Sequence, residues 1–339
     1  MKKRVSVIII IALFFAKDVV AQDPYYSQYF ASPMTLNPAL IGKGVSDMRL
    51  SINRKSQWWG SSTAAFTNTT VSFEKRLATK KNNLNQLALG AMLLNDASNG
   101  GLLKNNYISL GLAYNLTLDK LGKSMLGVGL SSTYANRILD QSMFQFQSQF
   151  GSMGFNRMLP SNDPINFLNK TFIEVNGGVH YSYENNNWGL NTGLGIFHAS
   201  KPNIGAYTNS KYTLDPRYAL EFSVFKKYKE GDEVHLLSSA QVQGINEIYS
   251  VGAMYKLKIP GTHPIDKITL GAWKRFKDAV YPYFAIESTK WIAGVTYDVI
   301  SSDLNNYYNN VESFEISFAW QFTSKSKPKE SNHARVITY

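Results

Sequence analysis

Cysteine is absent from all 339 residues, so the chain can be neither stapled by disulfides nor a lipoprotein anchored through a cysteine. A small secreted scaffold is therefore excluded, and stability has to come from a large hydrogen-bonded fold. Charge is scarce as well: Asp, Glu, Lys and Arg make up 17% of the chain, against roughly 25% in an ordinary soluble domain. Long apolar runs are missing too. The longest is the 12-residue stretch Val5 to Ala16, whereas a helix needs about 20 apolar residues to span a bilayer. A polytopic helical membrane protein is excluded on that ground. What the chain has in quantity is aromatics, with 20 Tyr and 19 Phe, which rules out a disordered chain and a coiled coil. A β-rich protein remains.

The first residues indicate the compartment. Lys2, Lys3 and Arg4 precede the apolar run, and Val19 and Ala21 supply the small residues of a cleavage site, the layout of a secretory signal peptide cut near Ala21. Lys17 and Asp18 close the run too early for a membrane anchor. Removing residues 1–21 takes away four basic residues and one acid, so the formal net charge falls from +11 to +8. An exported chain rarely meets nucleic acid, and part of the surplus sits in the tail as Lys325, Lys327, Lys329 and Arg335. The surplus is read as a solvated or lipopolysaccharide-facing distribution.

The body of the chain alternates with period two. Phe314, Ile316, Phe318, Trp320 and Phe322 fall on one face, with Ser313, Glu315, Ser317, Ala319 and Gln321 on the other. Ile108, Leu110, Leu112, Tyr114, Leu116 and Leu118 likewise oppose Ser109, Gly111, Ala113, Asn115 and Thr117. Similar arithmetic holds around Trp188–Ile196, Arg217–Phe225 and Trp291–Val299. Successive side chains of a strand point to opposite faces. A soluble sandwich would put Lys, Glu and Thr on the second face; Gly, Ala, Ser and Asn there suit the lumen of a transmembrane barrel behind a lipid-facing wall. Tyr134, Trp188, Tyr218, Trp291 and Trp320 fit interfacial girdles. The predicted fold is thus all-β, a transmembrane antiparallel barrel over residues 45–322. Its fourteen candidate strands lie near 46–55, 63–75, 86–95, 106–118, 124–134, 171–184, 187–198, 215–227, 233–243, 246–258, 266–275, 280–289, 290–299 and 313–322. The stretch 135–170 is predicted as the longest loop, and 120–123 and 184–187 as turns.

Two regions do not read as strand. Residues 22–44 hold Pro24, Pro33 and Pro38, and proline removes a ladder donor. The same stretch holds Tyr25, Tyr26, Tyr29 and Phe30, too aromatic for a free linker. It is expected to plug the lumen or to lie on the periplasmic rim. Residues 323–339 form a polar, basic tail.

The lead-in resembles the opening of the PorP/SprF membrane proteins. The likeness rests on Gln22, Asp23, Pro24, Ser27, Gln28, Tyr29, Leu36, Asn37, Pro38, Ala39 and Gly42, followed by Arg54 and Gln57-Trp58, with one extra residue between Arg54 and Gln57. Gly294 to Asp298, Ser302-Asp303-Leu304 and Phe314-Glu315-Ile316 resemble the family's closing hairpin, and Asn95-Asp96 is a fainter likeness. What the resemblance implies is an outer-membrane barrel of the type IX secretion system, in some members of gliding motility. Such a barrel would help export a secreted cargo or anchor an adhesin at the cell surface, by binding the cargo's C-terminal domain or machinery components, without enzymatic activity.

Motifs for chemistry are missing. His180, His198, His235, His263 and His333 are scattered without ligand spacing, and no nucleophile elbow or phosphate loop occurs. No catalytic, cofactor or metal residue is assigned. Gly127, Gly129, Gly193 and Gly195 read as small lumen residues or bends. Glu174, Glu221, Glu315, Arg217 and Asp298 should face inward, lining a permeation path or forming ion pairs that fill a closed lumen. Tyr25, Tyr26, Tyr29, Phe30 and Asn37 are the candidate partner-binding residues. A plugged 14-stranded porin or solute transporter is the alternative function, and a purely structural barrel a third.

Overall fold

In hydrocarbon every backbone N–H and C=O needs a partner, and an open sheet leaves one row at each edge without one. The computed structural model describes residues 23–44, 47–59, 65–77, 85–140, 144–162, 169–205, 212–261, 264–302 and 312–322, and it meets this requirement by closure. Its strands are β1 (Met48–Trp59), β2 (Phe66–Arg76), β3 (Gln86–Ser98), β4 (Leu103–Thr117), β5 (Ser124–Leu139), β6 (Phe150–Gly151), β7 (Gly154–Phe155), β8 (Asn169–Glu184), β9 (Trp188–Phe197), β10 (Arg217–Lys227), β11 (Glu233–Gln243), β12 (Asn246–Lys258), β13 (Lys267–Arg275), β14 (Ala279–Glu287), β15 (Trp291–Ile300) and β16 (Glu312–Phe322). All but β6 and β7 join one closed antiparallel barrel of 14 strands, sealed where β1 pairs with β16 from Met48↔Phe322 upward. The expected count and architecture are those observed. The signal-peptide region 1–21 and the tail 323–339 lie outside the described residues.

The alternation read from the sequence becomes the two surfaces of the wall. Leu110 is 65% exposed, Ile173 65% and Leu270 58%, while their neighbours Ser109, Glu174 and Thr269 are buried. Lipid-facing strands place their apolar side outward, so the usual inside-out rule is inverted. Trp188, Trp291, Trp320 and Phe322 ring the end where β1 begins and β16 finishes; Tyr134 and Tyr218 lie toward the other. Connections at the first end are short, such as 118–123, 185–187 and 288–290, whereas 140–168, 198–216 and 301–311 all leave the second. Short turns mark the periplasmic end of a bacterial barrel and long loops its outer end, so β1 rises from inside to outside.

At that outer end the structure corrects several boundaries. β3, β4, β5 and β8 run on beyond the expected limits, and the loop expected over 135–170 shrinks to 140–168, with the small β6–β7 hairpin inside it. Pairs such as Asn136↔Thr171 and Ile138↔Asn169 extend the β5–β8 ladder, and the Asn136 amide donates to Asn169 at 2.8 Å. Above the lipid no apolar face is needed, so these strand ends carry polar residues and no hydrophobic alternation marks them.

Candidate functional site

Residues 23–44 descend through the barrel from its outer mouth to its inner end, as three single turns at Tyr29–Ala31, Pro33–Leu36 and Pro38–Leu40. Pro33 and Pro38 each open a turn, where a missing N–H costs nothing. Asn37 begins the last one, its side chain accepting from the Ala39 N–H at 2.9 Å. From Tyr26 to Gly42 every residue except Thr35 is buried.

One wall receives this plug by shape. Ala88 of β3, Ala113 of β4, Gly129 of β5, Gly178 of β8, Gly195 of β9 and Ala219 of β10 stand directly opposite one another across five successive strand pairs. They make a band of small residues around nearly half the girth, and Leu36 to Ile41 lie in it. A Cβ on Gly129 would sit 2.3 Å from the Pro38 carbonyl carbon, one on Gly195 2.4 Å from the Leu36 oxygen, and one on Gly178 2.0 Å from Asn37 Oδ1. None of these glycines has a left-handed φ. They are required for the approach of the plug backbone, not for a bend.

The facing wall holds the plug by charge. The Ser27 and Gln28 backbone N–H groups donate to the two carboxylate oxygens of Glu315 at 2.6 and 3.1 Å. The Ser27 hydroxyl reaches Asp298, which pairs with Arg275 at 2.7 Å and Lys55 at 3.6 Å. At the inner end Glu74 binds the Gly42 N–H at 2.8 Å while pairing with Arg49 at 2.7 Å. A buried carboxylate is tolerable only when its lone pairs are filled in this way.

A third contact latches the top of the plug. His198, just past β9, lies between Asp23 (2.5 Å) and Glu174 (2.5 Å), and Arg217 reaches Asp23 at 3.0 Å. Burial alone would depress the His198 imidazole, but Asp23 and Glu174 outweigh it and raise its pKa from 6.5 to about 9. Burial would likewise raise the Asp23 carboxyl, yet His198 and Arg217 hold it far below the usual range. The inward carboxylates and Arg217 thus all have partners, Glu221 pairing with His180 at 3.0 Å. Each is engaged in ion pairs or hydrogen bonds inside the lumen.

The residues expected to bind a partner face the barrel wall. Tyr29 and Phe30 meet edge to face, and Phe30 stacks on Trp273 at 5.3 Å and abuts Tyr283 at 5.2 Å. Tyr26 is buried, and Asn37 is wholly so, donating to the Val179 carbonyl at 2.9 Å. Tyr25 alone is half-buried, near the outer mouth, its hydroxyl donating to Asp278 at 3.1 Å and accepting from Gln57 at 3.0 Å. Sequence reasoning missed Arg275, Lys55, Arg49 and the small-residue band. Period two marks Lys55, Arg49 and Arg275 as inward, but the band runs across strands, where no linear spacing reveals it.

The family model for the type IX secretion system membrane protein PorP/SprF matches residues 19–320. The chain belongs to this family. No curated protein matches it. Among solved structures, this PorP/SprF protein is similar to the toluene transporter TodX of Pseudomonas putida, with 8% identity, 90% of this chain and 100% of that one covered, and a TM-score of 0.47. It is similar also to CdiB from Acinetobacter baumannii, at 8% identity and TM-score 0.45, covering 81% of this chain but 59% of CdiB. The translocator domain of the autotransporter NalP from Neisseria meningitidis follows at 9% identity and TM-score 0.33, covering 83% and 91%. Fold and family together make the chain an outer-membrane barrel of the type IX secretion family.

Proposed function

We propose that this barrel is a non-enzymatic partner protein, which helps export a secreted cargo or anchors an adhesin at the cell surface. The observation that supports the reading is the filled lumen. Two voids between plug and wall measure about 40 and 50 Å³, and on this reading a solute would pass only if the plug left, against a buried network on one side and a fitted groove on the other. A barrel that conducts nothing and raises its long loops on one face is suited to holding another protein. Its partners on this reading are outer-membrane lipid, type IX secretion components and the C-terminal domain of a cargo. Tyr26, Tyr29, Phe30 and Asn37 serve capture indirectly, by seating the plug that shapes the outer mouth, while Tyr25 stands nearest to a bound partner. The mature chain begins after cleavage near Ala21. The test is affinity purification of the tagged protein from its own outer membrane, followed by mass spectrometry and planar-bilayer recording. Co-purification of a secretion component or a large secreted protein is the expected result. Recovery of the barrel alone, with steady ion conductance, would overturn the reading in favour of a porin.

A further inference from the structure

Above the plug, the outer mouth holds a cavity of about 330 Å³, several times larger than the two voids below it. Its lining combines a polar row with aromatic rings. Asn68 of β2, Asp96 of β3, Asn105 of β4 and Arg137 of β5 stand opposite one another, strand by strand, as that row. The Asn105 amide donates to one Asp96 oxygen at 2.9 Å, and the Asn68 amide, oriented to satisfy its neighbours, donates to the other at 2.5 Å. The carboxylate is thereby held rigid between two amides. The aromatic rings are Trp58 of β1, Phe66 of β2 next to Asn68, and Tyr25 of the plug, with Tyr107 of β4 and Phe172 of β8.

Trp58 is there because the backbone is bent out of its pattern. Gln57 points inward, so strict alternation would send Trp58 into the lipid. Instead β1 bulges between Gln57 and Trp59, Trp58 takes a φ of 60°, and its ring turns to the mouth against Phe66 at 4.9 Å. A left-handed conformation is a true outlier for a bulky residue, and bulges of this kind re-aim side chains at functional positions. Gln57 donates to the Tyr25 hydroxyl of the plug, and Trp58 also packs against Ala279 and Ile300.

We propose that the outer mouth is a saccharide-binding site. A sugar ring presents a C–H face, which packs on an aromatic ring, and an edge of hydroxyls that both donate and accept, which a fixed amide–carboxylate–guanidinium row satisfies. Asp96 and Arg137 balance each other and Asp23 is already paired with His198 and Arg217, so the cavity carries no net charge to select an ion, and the polar row disfavours a hydrocarbon. A neutral polyhydroxyl ligand is what this combination admits, and the cavity lies at the small end of ligand sites, roughly 300–1,000 Å³.

The test uses the full mature chain in an amine-oxide detergent, since sugar-headed detergents would compete. Saturation-transfer NMR is recorded at millimolar glucose, galactose, mannose and N-acetylglucosamine, with inorganic phosphate and a tetra-alanine peptide as contrasts. The expected result is transfer to at least one sugar and to neither contrast, with affinity lowered about tenfold in Asp96→Asn and in Asn105→Ala. Trp58→Phe keeps a ring in place and should bind more weakly with little change in thermal stability. Should Asn105→Ala fail to fold, Asp96→Asn, which preserves shape, decides alone. No transfer to any of the four sugars, transfer to the peptide or phosphate instead, or sugar binding that survives Asp96→Asn unchanged would each overturn the proposal.

Discussion

The plug meets two walls that hold it in opposite ways. Along β3 to β10 the contact is steric: backbone lies against Gly129, Gly178 and Gly195 where no side chain stands between. Along β13 to β16 and β1 it is electrostatic, with Arg275, Lys55, Asp298 and Glu315 gathered around Ser27 and Gln28. The steric wall sets where the plug lies and adds a few directed contacts, Asn37 to the Val179 carbonyl, Arg217 to the Thr35 carbonyl and the His198 latch at the top. The charged wall supplies attraction only if every member is present, because a buried charge that loses its partner costs more than the pair contributed. Position is thus set on the first side, while retention is shared between the charged wall and the latch at the top of the first.

The sharpest way to break this division is Arg275→Met. It takes the guanidinium from Asp278 and leaves Asp298 with only the longer Lys55 contact as a cation, and should cost about 3–5 kcal/mol, read as a lower midpoint in guanidinium unfolding and as protease cleavage within the lead-in. Leu110→Arg should cost about 2–4 kcal/mol, being a cation near mid-bilayer on the outer surface. It touches neither wall's inner face, so the folded fraction should still resist cleavage in the lead-in, which separates barrel stability from plug retention. On the steric side Gly129→Ala should cost about 1–3 kcal/mol by overpacking against Pro38. Gly178→Ala sharpens the point: its Cβ collides with Asn37 Oδ1, so the damage should shrink in an Asn37→Ala background, a non-additivity measurable in a double-mutant cycle. The smallest effect is a pH dependence of the latch. The His198 pKa is raised in the folded state, so its contribution is complete below about 6.5 and fades as pH rises through about 9. Lead-in proteolysis should therefore quicken between neutral pH and pH 10, and His198→Gln should flatten that trend. Asp23, held low, acts in the opposite sense and loses its contribution only as the solution becomes strongly acidic.

How much of this was legible follows from where each signal lies. The lipid-facing side of a strand is selected residue by residue, so Leu110, Ile316 and Trp320 declared their faces and the fourteen strands could be counted. Where β5 and β8 rise clear of the bilayer, that selection ceases and the ends became visible only through pairing. The inward acids were legible as lumen residues. Their partners were not: Glu315 is met by Ser27 and Asp298 by Arg275, across separations that only barrel closure sets. The glycines were recognisable as small lumen positions, but a band running perpendicular to six strands has no period along the chain. The lead-in's prolines and aromatics announced an irregular packed segment, and its family likeness gave a function class. Neither told that Phe30 would stack on Trp273 or that His198 would clasp Asp23.

The direction of the lead-in bears on assembly. Asp23 stands at the outer mouth and Gly44 at the inner end, where Met48 begins the first strand directly. The segment is therefore tethered below and latched above. Ser27 and Gln28 bind side chains of β15 and β16, while Glu74 of β2 holds Gly42, so the plug bridges the first and last strands to be made. The pairing of Met48 with Phe322 is then a seam with plug contacts on the strands beside it. A chain lacking residues 23–44 should still possess every strand, yet it would have to seal that seam over a hollow, charged interior with nothing to gather its two edges.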